Sequence, residues 1–319
     1  MPFVYDDLEY FMVREIPVKR KRLAEEQMYH LVTGLNGYLG LSIKLMENPH
    51  ASPLHIGSGE LELDNDGVYQ AVSRNKSNPV IPGSGIKGAV RTFAEALGPC
   101  CLEGNCRNDL LLCPCCTLFG TLGFQGRVAF TEAVSTAELK TAKLPLPVRW
   151  GGKNQGGRRF YWHDNCESWV HSDIGSVERL EVILPPAEFL TTCYFQNLRD
   201  EELGFLFLAI GVPPDNKFSL KLGGGKNRGL GSVTISTQEI ILSGNNRHAS
   251  LTLPPALHDN SNLIKNTTAA YLTSLTPSEL SQVQENLVAF QKESFRKLSP
   301  QELKQRFMDR AERQEGRKR

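Results

Sequence analysis

The 319-residue chain has almost no excess of either charge: 36 Lys and Arg stand against 35 Asp and Glu, a formal net of +1. That balance excludes a uniformly basic nucleic-acid coat. A basic groove stays open, because sign can be segregated along the chain. Long apolar runs are missing as well. The longest, Leu203-GFLFLAIG-Val212, is too short to cross a bilayer and suits a buried element. The start, MPFVYDDLEYFMVREIPVKRKR, is acidic and then basic, with no apolar core before a small-residue cleavage site, so a soluble, cytoplasmic protein is expected. No short repeat period is present, which argues against a solenoid. No glycine loop ends in Gly-Lys-Ser/Thr, which removes the Walker A loop. Cysteine is sparse except at one place, where six of the eight fall between Cys100 and Cys116. In a chain read as leaderless, such clustering points to a metal before a disulfide framework.

The pattern along the chain predicts strands at 37–45, around 54–59 and 67–72, at 126–135, twice within 179–198, and on both sides of a loop within 218–242. Helices are expected over Ile86–Leu97, with Ile86, Val90, Phe93, Ala94 and Leu97 at helical spacing, and over 200–212 with Asp200 near its start. Residues 136–176 read as an irregular insert and 243–276 as polar and loosely patterned. From Pro277 a broken apolar stripe of Leu287, Phe290, Phe295, Leu298, Leu303 and Phe307 predicts helix, ending in a basic tail. The order β-α-β-β-α-β makes this an α+β chain on the ferredoxin-like plan. The expected organisation is an N-terminal extension at 1–34, a core at 35–242 interrupted at 99–120 and 136–176, and a C-terminal helical extension at 243–319.

Three elements join glycine to positive charge. Leu222-GGGKNRGLGS-Val233 holds five glycines between 223 and 232, with Lys226 and Arg228. Glycine lets a backbone take left-handed angles and come close to a ligand, so the loop reads as an anion-binding platform. Val80-IPGSGIKGAVRT-Phe93 feeds a glycine–serine turn into a helix, whose unpaired N–H groups attract anions, with Ser84, Lys87 and Arg91 alongside. It formally matches a dinucleotide fingerprint. The acidic residue and second parallel strand that such a site needs about 20 residues on are absent. Val148-RWGGKNQGGRRFYW-His163 alternates Arg149, Lys153, Arg158 and Arg159 with Trp150, Phe160, Tyr161 and Trp162. Cations for phosphates beside aromatic planes for bases fit single-stranded nucleic acid, whereas the plainer reading is a hairpin anchored by aromatics in the core.

Taken together, Ile81-PGSGIKGAV-Arg91, Cys113-PCCTLF-Gly120 and Gly224-GKNRGL-Gly231 resemble the motifs of the RAMP superfamily of CRISPR effector proteins, most nearly the backbone subunits of type III complexes. The likeness also takes in LSIKLMENPHASPLHIGSGE and FQNLRDEELGFLFLAIG, and covers about residues 35–240. It implies a modified ferredoxin-like, RRM-like fold that holds CRISPR guide RNA, positions target RNA, and stacks on other RAMP subunits and the large signature subunit. On that resemblance the RNA contacts are Ser84, Gly85, Lys87, Arg91, Arg149, Lys153, Arg158, Arg159, Gly224, Gly225, Lys226, Arg228 and Gly229, and the insert at 136–176 is a thumb-like hairpin.

The cysteine segment offers Cys101, Cys106, Cys113 and Cys116 as a tetrahedral zinc set. Cys100 could replace Cys101, and His163 or His171 could replace a cysteine. An iron–sulfur cluster would use the same ligands. Cys166 and Cys193 read as packed small hydrophobes. The resemblance further implies an aspartate between the LHIGSG and IPGS elements that cleaves target RNA with a divalent ion, Mg2+ or Mn2+. Asp64 and Asp66 are the candidates, although one alignment of QAVSRN puts that position on Tyr69. Both also suit an ordinary Asp-Asn-Asp-Gly turn. The alternative is a guide-processing endoribonuclease, for which His55 is the nearest general acid–base.

Overall fold

In this computed structural model, residues 10–22, 33–47, 52–102, 106, 111–147, 158–163, 177–243 and 261–291 are described. Two short strands, β1 (Tyr10–Val13) and β2 (Lys21–Arg22), precede the first long one, β3 (Leu35–Leu45). In β3, Leu39, Leu41, Ile43 and Leu45 are all buried, as a period of two requires when one face is covered. A hairpin of β4 (Gly57–Asp64) and β5 (Gly67–Val72) follows, then β6 (Arg74–Asn75) and β7 (Asn78–Ile81) lead into helix α1 (Gly83–Ala96). The cysteine segment contains β8 (Leu111–Leu112) and α2 (Pro114–Phe119). Next come β9 (Val128–Phe130), β10 (Ala133–Ser135), β11 (Thr141–Pro147), β12 (Arg158–Tyr161), β13 (Val177–Ile183) and β14 (Glu188–Leu198). Helix α3 (Asp200–Ile210), β15 (Leu220–Lys221), β16 (Ser232–Ser243), α4 (Ser261–Ser274) and α5 (Pro277–Gln291) complete the described elements.

The fold is mixed α+β around a curled antiparallel sheet. Its strand order is β15-β16-β3-β14-β10-β7-β6, with β9 also paired to β14. The register aligns Phe189, Ile43 and Ile235 across three strands, and all three are buried. Helix α1 lies between β3 and β9 in the chain and α3 between β14 and β16, and across the sheet the long strands β16, β3 and β14 stand side by side with the short β10 next to β14. A second sheet, β11-β13-β5-β4, carries the acidic hairpin at its edge; β13 and β5 pair in parallel and the other pairs are antiparallel. No described helix is long and apolar enough to cross a membrane.

Five phenylalanines from distant segments meet in one cluster. Phe11 of β1, Phe93 of α1, Phe160 of β12, Phe218 and Phe290 of α5 have paired ring centroids 4.6–5.9 Å apart. Offset and edge-on aromatic pairs of this kind add to the area they bury. Here they tie the N-terminal strand, the basic insert and the last described helix to one core. Phe160 and Trp162 are thus partly or wholly spent on packing, Trp162 lying 4.6 Å from Phe11.

Several elements differ from the sequence reading: the insert read as irregular carries β11 and β12, and 126–135, read as one strand, is β9 and β10. Helix α1 begins at Gly83 rather than Ile86, so the glycine–serine segment is the first turn itself. Pro82 is extended, and its carbonyl accepts from the N–H groups of Gly85 and Ile86 at 2.9 and 3.2 Å. The stretch read as loosely patterned contains α4, whose Ile264, Thr267, Thr268 and Tyr271 are buried at helical spacing. The period was hidden because half of that face is threonine. It is buried through a close approach to α3: a Cβ on Gly204 would stand 1.9 Å from the Thr267 carbonyl oxygen. Phe295, Leu298, Leu303 and Phe307 of the predicted stripe lie outside the described residues.

Candidate nucleic-acid interface

The glycine loop is stitched to the chain's own backbone. Gly224 N–H donates to the His55 carbonyl at 2.8 Å and Gly231 N–H to that of Pro53 at 2.9 Å. Ser52 Oγ donates to the Gly229 carbonyl at 2.6 Å and accepts from Ser232 N–H at 2.9 Å. Gly223, at φ +75°, leaves no room for a side chain, since a Cβ would meet the His55 carbonyl oxygen at 2.1 Å. Close approach is therefore the reason for that glycine, and the thing approached is the strand segment beside it. Arg228 is buried in an ion pair with Glu178. Lys226 differs: it is half-buried, and among the described residues it makes no ion pair. Burial pushes its ammonium below its ordinary value, and the nearby Arg158 adds to that effect.

Lys226 faces a cavity of about 60 Å3 where the three glycine–basic elements converge. Thr92 comes from α1, Arg159 and His163 from β12 and just beyond it, and Lys221 and Lys226 from the glycine loop and its leading strand. No acidic side chain is among its described lining residues. A half-buried cation beside others, with no carboxylate to balance it, favours an anion. Elements more than 130 positions apart in sequence are brought together here by the aromatic cluster.

The other cations are held differently. On α1, Ser84 and Gly85 are exposed and no side chain caps the helix start. Lys87 is half-buried, and burial, then Arg91, pushes its ammonium down. Arg91 donates through Nε to Glu95 at 2.9 Å, through Nη1 to the Gly120 carbonyl at 2.7 Å and through Nη2 to Cys116 Sγ at 3.3 Å. Arg158 also pairs with Glu95, and reaches Thr92 Oγ1 at 3.3 Å. Glu95 has no exposed side-chain surface, so one buried carboxylate gathers two arginines assigned to RNA from sequence. Its spacing of four residues from Arg91 was the available signal. Arg149 and Lys153 lie outside the described residues.

The acidic hairpin separates its two aspartates. Asp64 accepts from Arg179 at 2.6 and 3.1 Å, from Lys143 at 2.7 Å and from Asp66 N–H at 2.9 Å. The hydrogen bonds from Arg179, then Lys143, hold its carboxyl well below the usual carboxylate range. Asp66 leaves 84% of its side chain exposed, with one long contact to Arg179 at 3.5 Å. Tyr69 is buried, bonded to Glu62, with the Lys143 ammonium 3.9 Å above its ring. His55 is buried beneath the glycine loop with Nδ1 2.7 Å from the Glu181 carbonyl, and burial pushes its imidazole down. A covered ring with Nδ1 engaged by a backbone carbonyl fits a structural role beneath the loop. The dinucleotide reading also finds no βαβ frame, because β7, which leads into α1, pairs antiparallel with β10.

Four cysteines form a buried group that can bind a metal ion such as zinc: Cys101, Cys106, Cys113 and Cys116. Cys101 Sγ lies 3.4 Å from that of Cys116 and 3.6 Å from those of Cys106 and Cys113, and all four fall within 4.8 Å of one another. Sulfurs set tetrahedrally about 2.3 Å from one zinc would be about 3.8 Å apart. The spacing fits a single ion and leaves no room between the sulfurs for several irons. Cys100, Cys115 and Cys193 are buried and unbridged, and Cys166 and His171 lie outside the described residues.

No curated protein matches the chain in sequence. A family model describing the RAMP superfamily matches residues 51–234, more than half of the chain. The match spans α1, the cysteine segment and the glycine loop, which hold the thiol group and most of the cavity's lining. Membership implies a CRISPR-associated, RNA-binding role, with RNA and other subunits as partners. On the matched length and the motifs within it, the chain belongs to the RAMP superfamily.

Proposed function

We propose that this chain is a cytoplasmic, RNA-binding backbone subunit of a type III CRISPR effector complex. It holds guide RNA through a backbone phosphate at Lys226, beside the small cavity that cations and aromatic rings line together, and positions target RNA near the β4–β5 hairpin, beside other RAMP subunits and the large signature subunit. The observation that carries the reading is the convergence of three glycine–basic elements on one cavity with no acid among its described lining residues. A ferredoxin-like core is supported by the strand order β16-β3-β14-β10 with α1 and α3 in the connections. Structural zinc held by Cys101, Cys106, Cys113 and Cys116 would fix a segment that has little apolar core of its own. For target cleavage with Mg2+ or Mn2+, Asp66 is the better-placed carboxylate, because Asp64 is already committed to Arg179 and Lys143.

The test is RNA binding by the full chain across a salt series. Lys226→Ala is expected to weaken binding and lower the slope of log K against log[salt] by about 1, as loss of one phosphate contact does. An unchanged slope and affinity would remove the cavity from the interface. Purification of the native assembly without any short RNA would remove the reading as a whole.

A further inference from the structure

Two arginines donate to different sulfurs of the thiol group. Arg20 Nε donates to Cys106 Sγ at 3.3 Å, and Arg91 Nη2 donates to Cys116 Sγ at 3.3 Å. Backbone donors are aimed at sulfur too: Cys101 N–H at Cys113 Sγ and Cys113 N–H at Cys106 Sγ, each at 3.4 Å. Four thiolates around one divalent ion carry a net charge of −2. All four cysteines are buried, and an uncompensated double charge in such a place is expensive. Two guanidiniums within hydrogen-bond reach of the sulfurs offset that charge, and Arg158 balances the Glu95 carboxylate that Arg91 also contacts.

We infer that Arg20 and Arg91 belong to the metal centre as the counter-cations of a single-ion tetrathiolate, and that Arg91 is a positioning residue of that centre and not an RNA contact. The inference rests on the metal reading above. All three nitrogens of the Arg91 guanidinium are engaged, with Glu95, the Gly120 carbonyl and Cys116. Three of its five N–H donors are thus spent inside the protein. Through Glu95 the same residue is tied to Arg158 on β12, next to the cavity. Arg20 is brought to Cys106 by the N-terminal segment, where Lys19 N–H donates to the Pro99 carbonyl at 3.0 Å and β2 pairs with β8. The N-terminal segment therefore serves as one wall of the metal site.

The test uses the full chain, loaded with Zn2+ for chelator competition and with Co2+ for its tetrathiolate absorption, beside the RNA salt series. Arg91→Gln and Arg20→Gln should each loosen the ion by about 10- to 100-fold, the size seen when partners of metal ligands are removed. Both should leave the RNA salt slope as in the wild type. Arg20 is exposed, so its variant keeps the question answerable if Arg91→Gln folds poorly. Arg91→Lys, which keeps the charge, should retain more affinity than Arg91→Gln. Wild-type metal affinity in both glutamine variants overturns the inference, as does a slope lowered by about 1 in Arg91→Gln. A wild-type chain that yields no tetrathiolate spectrum with Co2+ overturns the metal reading itself, and the inference with it.

Discussion

Replacing Glu95 by Gln keeps the shape of a fully covered side chain and removes its charge. Two guanidiniums then face a neutral amide whose NH2 group cannot accept from either. Taking one partner from a buried ion pair costs about 3–5 kcal/mol where the remaining charge stays dry. Here Arg91 and Arg158 keep 19% and 22% of their side-chain surface exposed, so water can recover part of the loss. The expected destabilisation is therefore about 2–3 kcal/mol. Urea unfolding with and without the substitution reads it directly, with an unchanged m-value showing that the folded state kept its extent. In a thermal melt the same loss should appear as roughly 3–5 °C. Adding Glu95→Gln to an Arg158→Gln background should cost less than it does alone, because the two share one interaction. A loss below about 1 kcal/mol, or full additivity of the two substitutions, would refute the claim that this carboxylate holds the α1–β12 junction.

Three further outcomes are expected. Gly204→Ala should cost about 3 kcal/mol, at the upper end for overpacking, because the new methyl falls 1.9 Å from the Thr267 carbonyl oxygen and α3 and α4 must part; urea melts measure it. In guide-loaded complexes given complementary RNA and Mg2+, Asp66→Ala should abolish one cut. Asp64→Ala should chiefly loosen the β4–β5 hairpin, seen as faster amide exchange there; equal cleavage ladders for both variants would make the subunit inert. Burial keeps the His55 imidazole below its ordinary value of 6.5, so as pH falls the unfolded chain takes up the proton first. The stability present above pH 6.5 should then decline as pH drops below it, and His55→Gln should flatten that decline in melts at pH 7 and pH 5.

Several strands were legible because their apolar residues alternate: GYLGLSIKL and the two strands within 179–198 stand where their pattern predicts. The run Leu203–Ile210, apolar on every side, was legible as a buried helix for the same reason in reverse. Helix α4 was not, since its covered face is built of Thr267, Thr268 and a close helix contact that no local period encodes. The cysteine set was readable from spacing, because metal ligation demands a few specific atoms close together in the chain. The hydrogen bonds aimed at its sulfurs were not.

By itself, the amino-acid sequence determined the residue types available for chemistry: thiols at ligand spacing, glycines where the backbone must pass close, and cations interleaved with aromatics. Only the tertiary structure decided which cations are spent. Arg228 is taken by Glu178, Arg91 and Arg158 by Glu95, and Asp64 by Arg179, while Lys226 is left beside a cavity without a carboxylate among the described residues. The reason is that charge neutralisation acts over a few ångströms in space. The partners that decide it here lie up to 115 positions away along the chain.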